Sequence, residues 1–198
     1  QNMLGGTYAK PLETMRTYLD RMAALPEMIE PGSGRPTRLL AALGPKMIEL
    51  SGTHADGAHP YLVTPAQTAT TREILGPDKW IVSEQAVVVG RDVDGHGEQL
   101  RRAHLHLQIY SGLPNYRNSW LRQGFDESDF IPGGSERLAR GIVGMGSVQQ
   151  AAATVTAHLD AGADHVVVQV LGDGNPAWDP RPALRELAGV LELSGATA

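Results

Sequence analysis

Glu84 and Gln85 stand side by side inside an otherwise apolar run, Trp80-Ile81-Val82-Ser83-Glu84-Gln85-Ala86-Val87-Val88-Val89. Side chains of a strand alternate between its two faces, so one of this pair must point inward. A buried carboxyl needs a partner or a neutral form, which makes Glu84 a candidate catalytic acid or base. Gln169, inside His165-Val166-Val167-Val168-Gln169-Val170-Leu171, follows the same logic. His59 and Tyr61 lie in Gly57-Ala58-His59-Pro60-Tyr61-Leu62-Val63, near the exit of that run. An imidazole, with its ordinary pKa of about 6.5, could shuttle a proton there or donate to a cofactor carbonyl. The plainer alternative is a histidine whose hydrogen bond orders a loop. Asp56, just before the run, reads as a turn cap. A fourth candidate is backbone: at Ala42-Leu43-Gly44-Pro45 a strand gives way to a helix. N–H groups at such a turn, with a helix N-terminus behind them, favour a phosphate or an anionic ring edge. The plain reading of Gly44-Pro45 is a turn and a helix start.

Other patterns carry less. Gly141-Ile142-Val143-Gly144-Met145-Gly146 has a glycine rhythm but follows a helix, so it lacks the context of a dinucleotide turn. His104 and His106, two apart on an expected helix, do not share a face as metal ligands would. Asp92 to Glu98 resembles a calcium loop, but Glu98 comes too early for the twelve-residue pattern. No nucleophile elbow, HExxH or P-loop stands in the sequence.

The chain of 198 residues carries a net charge of -5 and no cysteine. Its length supports one domain with a real core. Mild acidity argues against a nucleic-acid partner, which would need a basic stripe. Without cysteine there are no disulfides, thiolate nucleophiles or Cys-ligated metals. No apolar run approaches the ~20 residues of a membrane span. No basic-then-apolar leader is visible, so a cytosolic globular protein is expected. Gln1-Asn2 ahead of Met3 reads as a remnant before the encoded start.

The elements that would position the candidates follow from spacing and punctuation. Leu12, Met15, Leu19 and Met22 give an amphipathic helix over Pro11–Leu25. Apolar runs predict strands at 38–43, 57–63, 80–89 and 165–171. Capping boxes at Thr64-Pro65-Ala66-Gln67 and Ser147-Val148-Gln149-Gln150 open helices reaching about Leu75 and Ala161. Further helices are expected over 97–111, 116–123, 135–143 and 181–193. Four strands alternating with helices imply a parallel sheet, and the spacing alone separates neither an open sheet from a barrel. The whole reads as one α/β domain, 1–198.

Specific strings narrow the choice. Leu39 through Leu50, with Leu43-Gly44-Pro45-Lys46 at its centre, resembles the fifth strand and following helix of deazaflavin-dependent members of the luciferase-like monooxygenase superfamily. Ala55 through Pro65 looks like their sixth strand. Gly112-Leu113-Pro114-Asn115-Tyr116-Arg117-Asn118 resembles a segment inserted before the last strand, and Ala157 through Val166 the approach to the eighth. The resemblance implies a luciferase-like (β/α)8 barrel, present as about four βα units, strands five to eight. It begins near the end of the fourth strand, at Gly5-Gly6-Thr7-Tyr8, so the first four strands are expected to be missing. It implies hydride transfer between a small-molecule substrate and a deazaflavin, coenzyme F420, with FMN as the alternative. Ala42, Leu43, Gly44, Pro45 and Tyr61 would contact the cofactor, and His59 and Glu84 would be catalytic. A half-barrel leaves open edges and an exposed inner face, so a homodimer or larger homo-oligomer is expected. The rival reading is a non-catalytic half-barrel that binds or assembles and has lost the site. An unrelated doubly wound nucleotide module is a third.

Overall fold

The computed structural model describes residues 10–24, 36–90 and 97–193. Met3, the Gly5–Tyr8 string and most of the Asp92–Glu98 loop lie outside them.

Among the described residues the chain runs α1 (Pro11–Ala24), β1 (Leu39–Ala41), α2 (Pro45–His54), β2 (Gly57–His59), α3 (Pro65–Leu75), β3 (Trp80–Val87), α4 (Gly97–Tyr110), α5 (Pro114–Arg122), a 3-10 turn (Glu127–Asp129), α6 (Glu136–Ile142), α7 (Val148–Asp160), β4 (His165–Val170) and α8 (Arg181–Val190). The helix starts are set locally. Thr64 accepts from the Gln67 N–H with Pro65 at the first position. Ser147 and Gln150 form a reciprocal capping box.

The four strands are parallel and pair in sequence order, β1-β2-β3-β4. A doubly wound sheet reverses its order part-way; this one does not. Each right-handed crossover therefore returns its helix to the same face. On that face α2 and α3 pack on Ala42, Ile48 and Ala58, and α7 and α8 pack on Val87, Val89, Val166, Val168 and Val170. The other face is lined by registered neighbours: Ala41 beside His59, Gly57 beside Trp80, Glu84 beside Val167, and Ala86 beside Gln169. At the C-terminal end of the strands α4, α5 and α6 cover this inner face, burying Leu62, Ala86, Val88, Leu107, Trp120 and Leu138 in one cluster. Burying one such side chain contributes roughly 1.5–3 kcal/mol. Toward the other end the inner face is open, with Trp80 51% and Val167 42% exposed.

All four strands are shorter than their apolar runs, β4 by the single residue Leu171. β1 stops at Ala41 rather than Leu43, β2 at His59 rather than Val63, and β3 at Val87 rather than Val89. Tyr61 therefore lies in the turn after β2. Pro60 is the cause, because it has no N–H to give the ladder. Its carbonyl still accepts from the Glu84 N–H at 3.0 Å, but the Val82 carbonyl loses its expected donor. The His59 ring fills that place, with Nδ1 2.6 Å from the Val82 oxygen. Beyond β3, Val88 N–H donates to the Gly144 carbonyl at 2.8 Å and Gly144 N–H to Ala86 at 2.9 Å. The glycine rhythm around Gly144 thus serves backbone pairing: a Cβ there would stand 2.4 Å from Thr154 Oγ1. No described helix is long and apolar enough to cross a membrane.

Candidate functional site

Glu84 is 3% exposed, on the inner face of β3 and level with the end of β2. One carboxylate oxygen, Oε2, accepts from the Leu62 N–H at 3.3 Å. The other, Oε1, is buried with no partner among the described residues. Burial pushes the carboxyl up to about 7 against the small opposing pull of the Leu62 N–H. Asp129 is equally buried, at 3%, and behaves in the opposite way. Burial pulls its carboxyl up too, but Ser135, the Asp126 N–H and Arg137 outweigh this and hold it below the ordinary range. Completed hydrogen bonding is what separates the two acids.

Leu62, which serves Glu84, has φ +54, a left-handed backbone that costs a non-glycine residue about 1–2 kcal/mol. Its conformation is held from both sides. Its N–H goes to Glu84, and its carbonyl accepts from Trp120 Nε1 at 2.9 Å. The bend swings Tyr61 out of line with β2.

The Tyr61 hydroxyl is the hub of the inner face. It donates to Gln169 Oε1 at 2.8 Å, lies 3.1 Å from His106 Nε2 and accepts from the Tyr110 hydroxyl at 3.3 Å. With its single proton given to Gln169, it accepts from His106, which fixes the Nε2–H tautomer. Burial first, then Tyr110 and the nearby Glu84, push the Tyr61 phenol well above its ordinary value. The Tyr116 phenol is pushed up to about 12 by burial, Tyr110 and Glu84. Tyr61, Tyr110, Tyr116 and Trp120 form a continuous run of rings, with Tyr110 and Tyr116 centroids 4.9 Å apart.

The Ala42–Pro45 turn lies at the same end of the sheet. Ala42 is buried against Ile48 and Ala58, so this turn offers backbone rather than side chains. Gly44 caps α2 with no side-chain acceptor, and Pro45 occupies the first turn. Arg122, at the end of α5, donates from Nη2 to the Leu43 carbonyl at 3.2 Å. Partial burial pulls this guanidinium below its ordinary value. The next residue, Gln123, accepts from the Thr64 N–H at 2.8 Å. The end of α5 therefore ties the starts of α2 and α3 together and brings a cation to the first of them. A helix N-terminus beside a guanidinium suits a phosphate.

Of the residues singled out in the sequence, Glu84, Tyr61 and Gln169 meet on the inner face and Ala42–Pro45 at its rim. His59, the last residue of β2 and the neighbour of Ala41, is held by Val82 on the same face, and Asp56 accepts from the Arg38 N–H at 2.6 Å, joining the starts of β1 and β2. Arg122 and Tyr110 were not picked out in the sequence, Tyr116 appeared only within a family-like string, and His106 was considered only as a metal ligand. A signal existed for three of them: His106 with Tyr110, and Tyr116 with Trp120, stand four apart on their helices and so share a face.

No protein-family model matches the sequence, and no curated protein matches it. Solved structures do. Apo-MsnO8 superposes with a TM-score of 0.56 at 20% identity, over 92% of this chain and 59% of its own. EDTA monooxygenase (EmoA) from Chelativorans sp. BNC1 gives 0.57 at 13% identity, over 85% and 47%. The fold is part of a luciferase-like barrel. A further partial-barrel match is the coenzyme F420 dependent tetrahydromethanopterin reductase from Methanopyrus kandleri, with a TM-score of 0.53 at 16% identity, over 76% and 48%. The chain spans about half the length of these structures. At such identities the likeness is one of fold.

Proposed function

We propose that this partial barrel is the acid-bearing half of an oxidoreductase site for a deazaflavin, coenzyme F420, with FMN as the alternative cofactor. The observation that carries the reading is Glu84: a buried carboxyl with an unpartnered oxygen, on the face whose rim bears the Ala42–Pro45 turn. The residues present suit the anionic end of such a cofactor, because Ala42, Leu43, Gly44 and Pro45 offer backbone at a helix start and Arg122 offers charge. Tyr61 would border the ring. The cofactor, when bound, supplies the hydride chemistry. Glu84 supplies or removes the accompanying proton, since a carboxyl titrating near neutrality does either. Tyr61, fixed by Gln169 and His106, closes the pocket over Glu84 and keeps water out. His59 keeps Nε2 as a free acceptor on the inner face and is the second proton-handling group. The substrate is a small molecule.

The open inner face argues that the site completes itself by pairing with a second copy, as a homodimer or larger homo-oligomer. The second reading, a non-catalytic half-barrel that assembles, is favoured by the same exposure of Trp80 and Val167. Fluorescence titration of the protein with coenzyme F420 and then FMN, with mass measured by light scattering, separates the two. The redox reading expects saturable binding with Kd on the order of micromolar, weakened about tenfold in Arg122→Gln. A stable oligomer that binds neither cofactor would establish the second reading.

A further inference from the structure

Between α4 and the loop after β4 lies a cleft of about 440 Å³, within the range of small-molecule sites. Its walls are apolar: Leu105, Ile109, Leu171 and Pro176. Three side chains of α4 interrupt them, Arg102, His106 and Tyr110, each one helical turn from the next and therefore on one face. Arg102 is largely withdrawn from solvent and bonds through Nε to Glu98 Oε1 at 2.9 Å. Its two terminal nitrogens have no partner among the described residues. His106 donates through Nε2 to Tyr61, so Nδ1 is left as a bare acceptor. Burial holds this ring below its ordinary pKa.

The free edge of Arg102 favours an anion. Arg101 and Arg102 both bond to the single Glu98 carboxylate, which leaves a net positive charge. Asp173, whose carboxylate accepts from the Asn175 N–H at 2.8 Å, brings the formal sum of these four groups to zero, so the pull on an anion comes from the unpaired terminal nitrogens of Arg102 and not from net charge. A neutral hydrocarbon would cover Arg102 and His106 without pairing them, which is costly.

We propose that this cleft binds an apolar carboxylic acid that also carries a hydroxyl group. The carboxylate pairs with the free edge of Arg102, the hydroxyl donates to His106 Nδ1, and the carbon skeleton packs on Leu105, Ile109 and Leu171. The site is distinct from the Ala42–Pro45 turn and does not depend on cofactor binding. It shares His106 and Tyr110 with the Tyr61 hub, so an occupant sits one hydrogen bond away from it.

The test is a fluorescence titration with 4-hydroxy-2-naphthoate, whose hydroxyl cannot bond to its own carboxylate, compared with 2-naphthoate and 2-naphthol, and mapped on amide spectra without any cofactor. One saturable site is expected, with shifts at Gly172, Gly174 and Asn175. Arg102→Gln should weaken both acids about tenfold or more and leave 2-naphthol unchanged. Loss of the ligand hydroxyl should weaken binding several-fold in wild type. Ile109→Trp, at a position 72% exposed, should block the cleft without unfolding the chain, and it keeps the test open if Arg102→Gln destabilises α4. Acid binding that is indifferent to both substitutions, shifts confined to other surfaces, or no binding at all would overturn the proposal. Because no cofactor is present, none of these outcomes can be confused with failure of the redox reading.

Discussion

The two faces of β3 carry two buried polar systems, and they differ in how far each is satisfied. Behind the strand, His158 is fully buried between α7, α3 and the sheet. Its Nδ1 lies 2.8 Å from Thr68 Oγ1 and its Nε2 2.9 Å from Gln85 Oε1. Thr68 in turn meets Ser83 Oγ at 3.1 Å, and Gln85 Nε2 donates to the Ala86 and Ile142 carbonyls. Every donor finds an acceptor, and the network fastens helices to sheet. In front of the strand Glu84 makes one long bond and leaves an oxygen bare. A closed network specifies packing. An open one in a folded protein needs another explanation, and the proton-exchanging role proposed for Glu84 offers one.

The contrast can be broken first at its closed side. His158→Leu strands Gln85 Oε1, whose one partner among the described residues is His158, and should cost about 2–3 kcal/mol in urea unfolding. Loss below about 0.5 kcal/mol would mean that the network contributes little to the fold.

The open side should respond in the reverse direction. Burial raises the Glu84 carboxyl from 4.5 to about 7, so the folded state holds its proton more tightly than the unfolded one. Stability from that proton is full below about pH 4.5 and is lost as pH rises through about 7. Glu84→Gln should therefore gain up to about 3 kcal/mol at pH 8 and almost nothing at pH 4, while abolishing any proton-coupled activity. His158 runs oppositely. Burial lowers it to about 4, so its contribution is present above about pH 6.5 and is lost as pH falls through about 4. In wild type the two slopes oppose each other between about pH 4.5 and 6.5. Stability should fall with pH across that window in His158→Leu and rise in Glu84→Gln. Parallel profiles in the two variants would show that these groups do not carry the titration.

The smallest expected effect sharpens the boundary between the systems. Tyr61→Phe removes the hub hydroxyl and should cost about 1 kcal/mol. The His106 titration, followed by its ring proton signals, should shift toward the ordinary imidazole value as water reaches the ring. The His158 signals on the other side of β3 should not move.

Much of the fold could be read in the chain because it is written locally. The capping residues Thr64 and Ser147, the turn at Gly44-Pro45 and the β-branched run at β3 act through neighbours a few residues away. The site was legible in part. Glu84 and Gln85 stood out because charge and amide are rare inside an apolar strand. Their division of labour did not, since alternation says that they part but not which one meets a partner. Tyr61 was found by position and misassigned to a strand, because the effect of Pro60 on pairing outweighed the apolar pattern that follows it. His106 was set aside as half of a metal pair, and its real neighbour, Tyr61, lies 45 residues away.

The sequence by itself determined the alternation of strands and helices, the parallel sheet and the presence of a polar pair inside β3, because period, capping and residue type are short-range properties. Only the tertiary structure decided that Gln85 is satisfied by His158 while Glu84 is not, that Leu62 is held in a left-handed bend, and that Arg122 reaches the start of α2. Each of those depends on partners brought together from distant parts of the chain, where burial rather than residue type sets the energy of a charge.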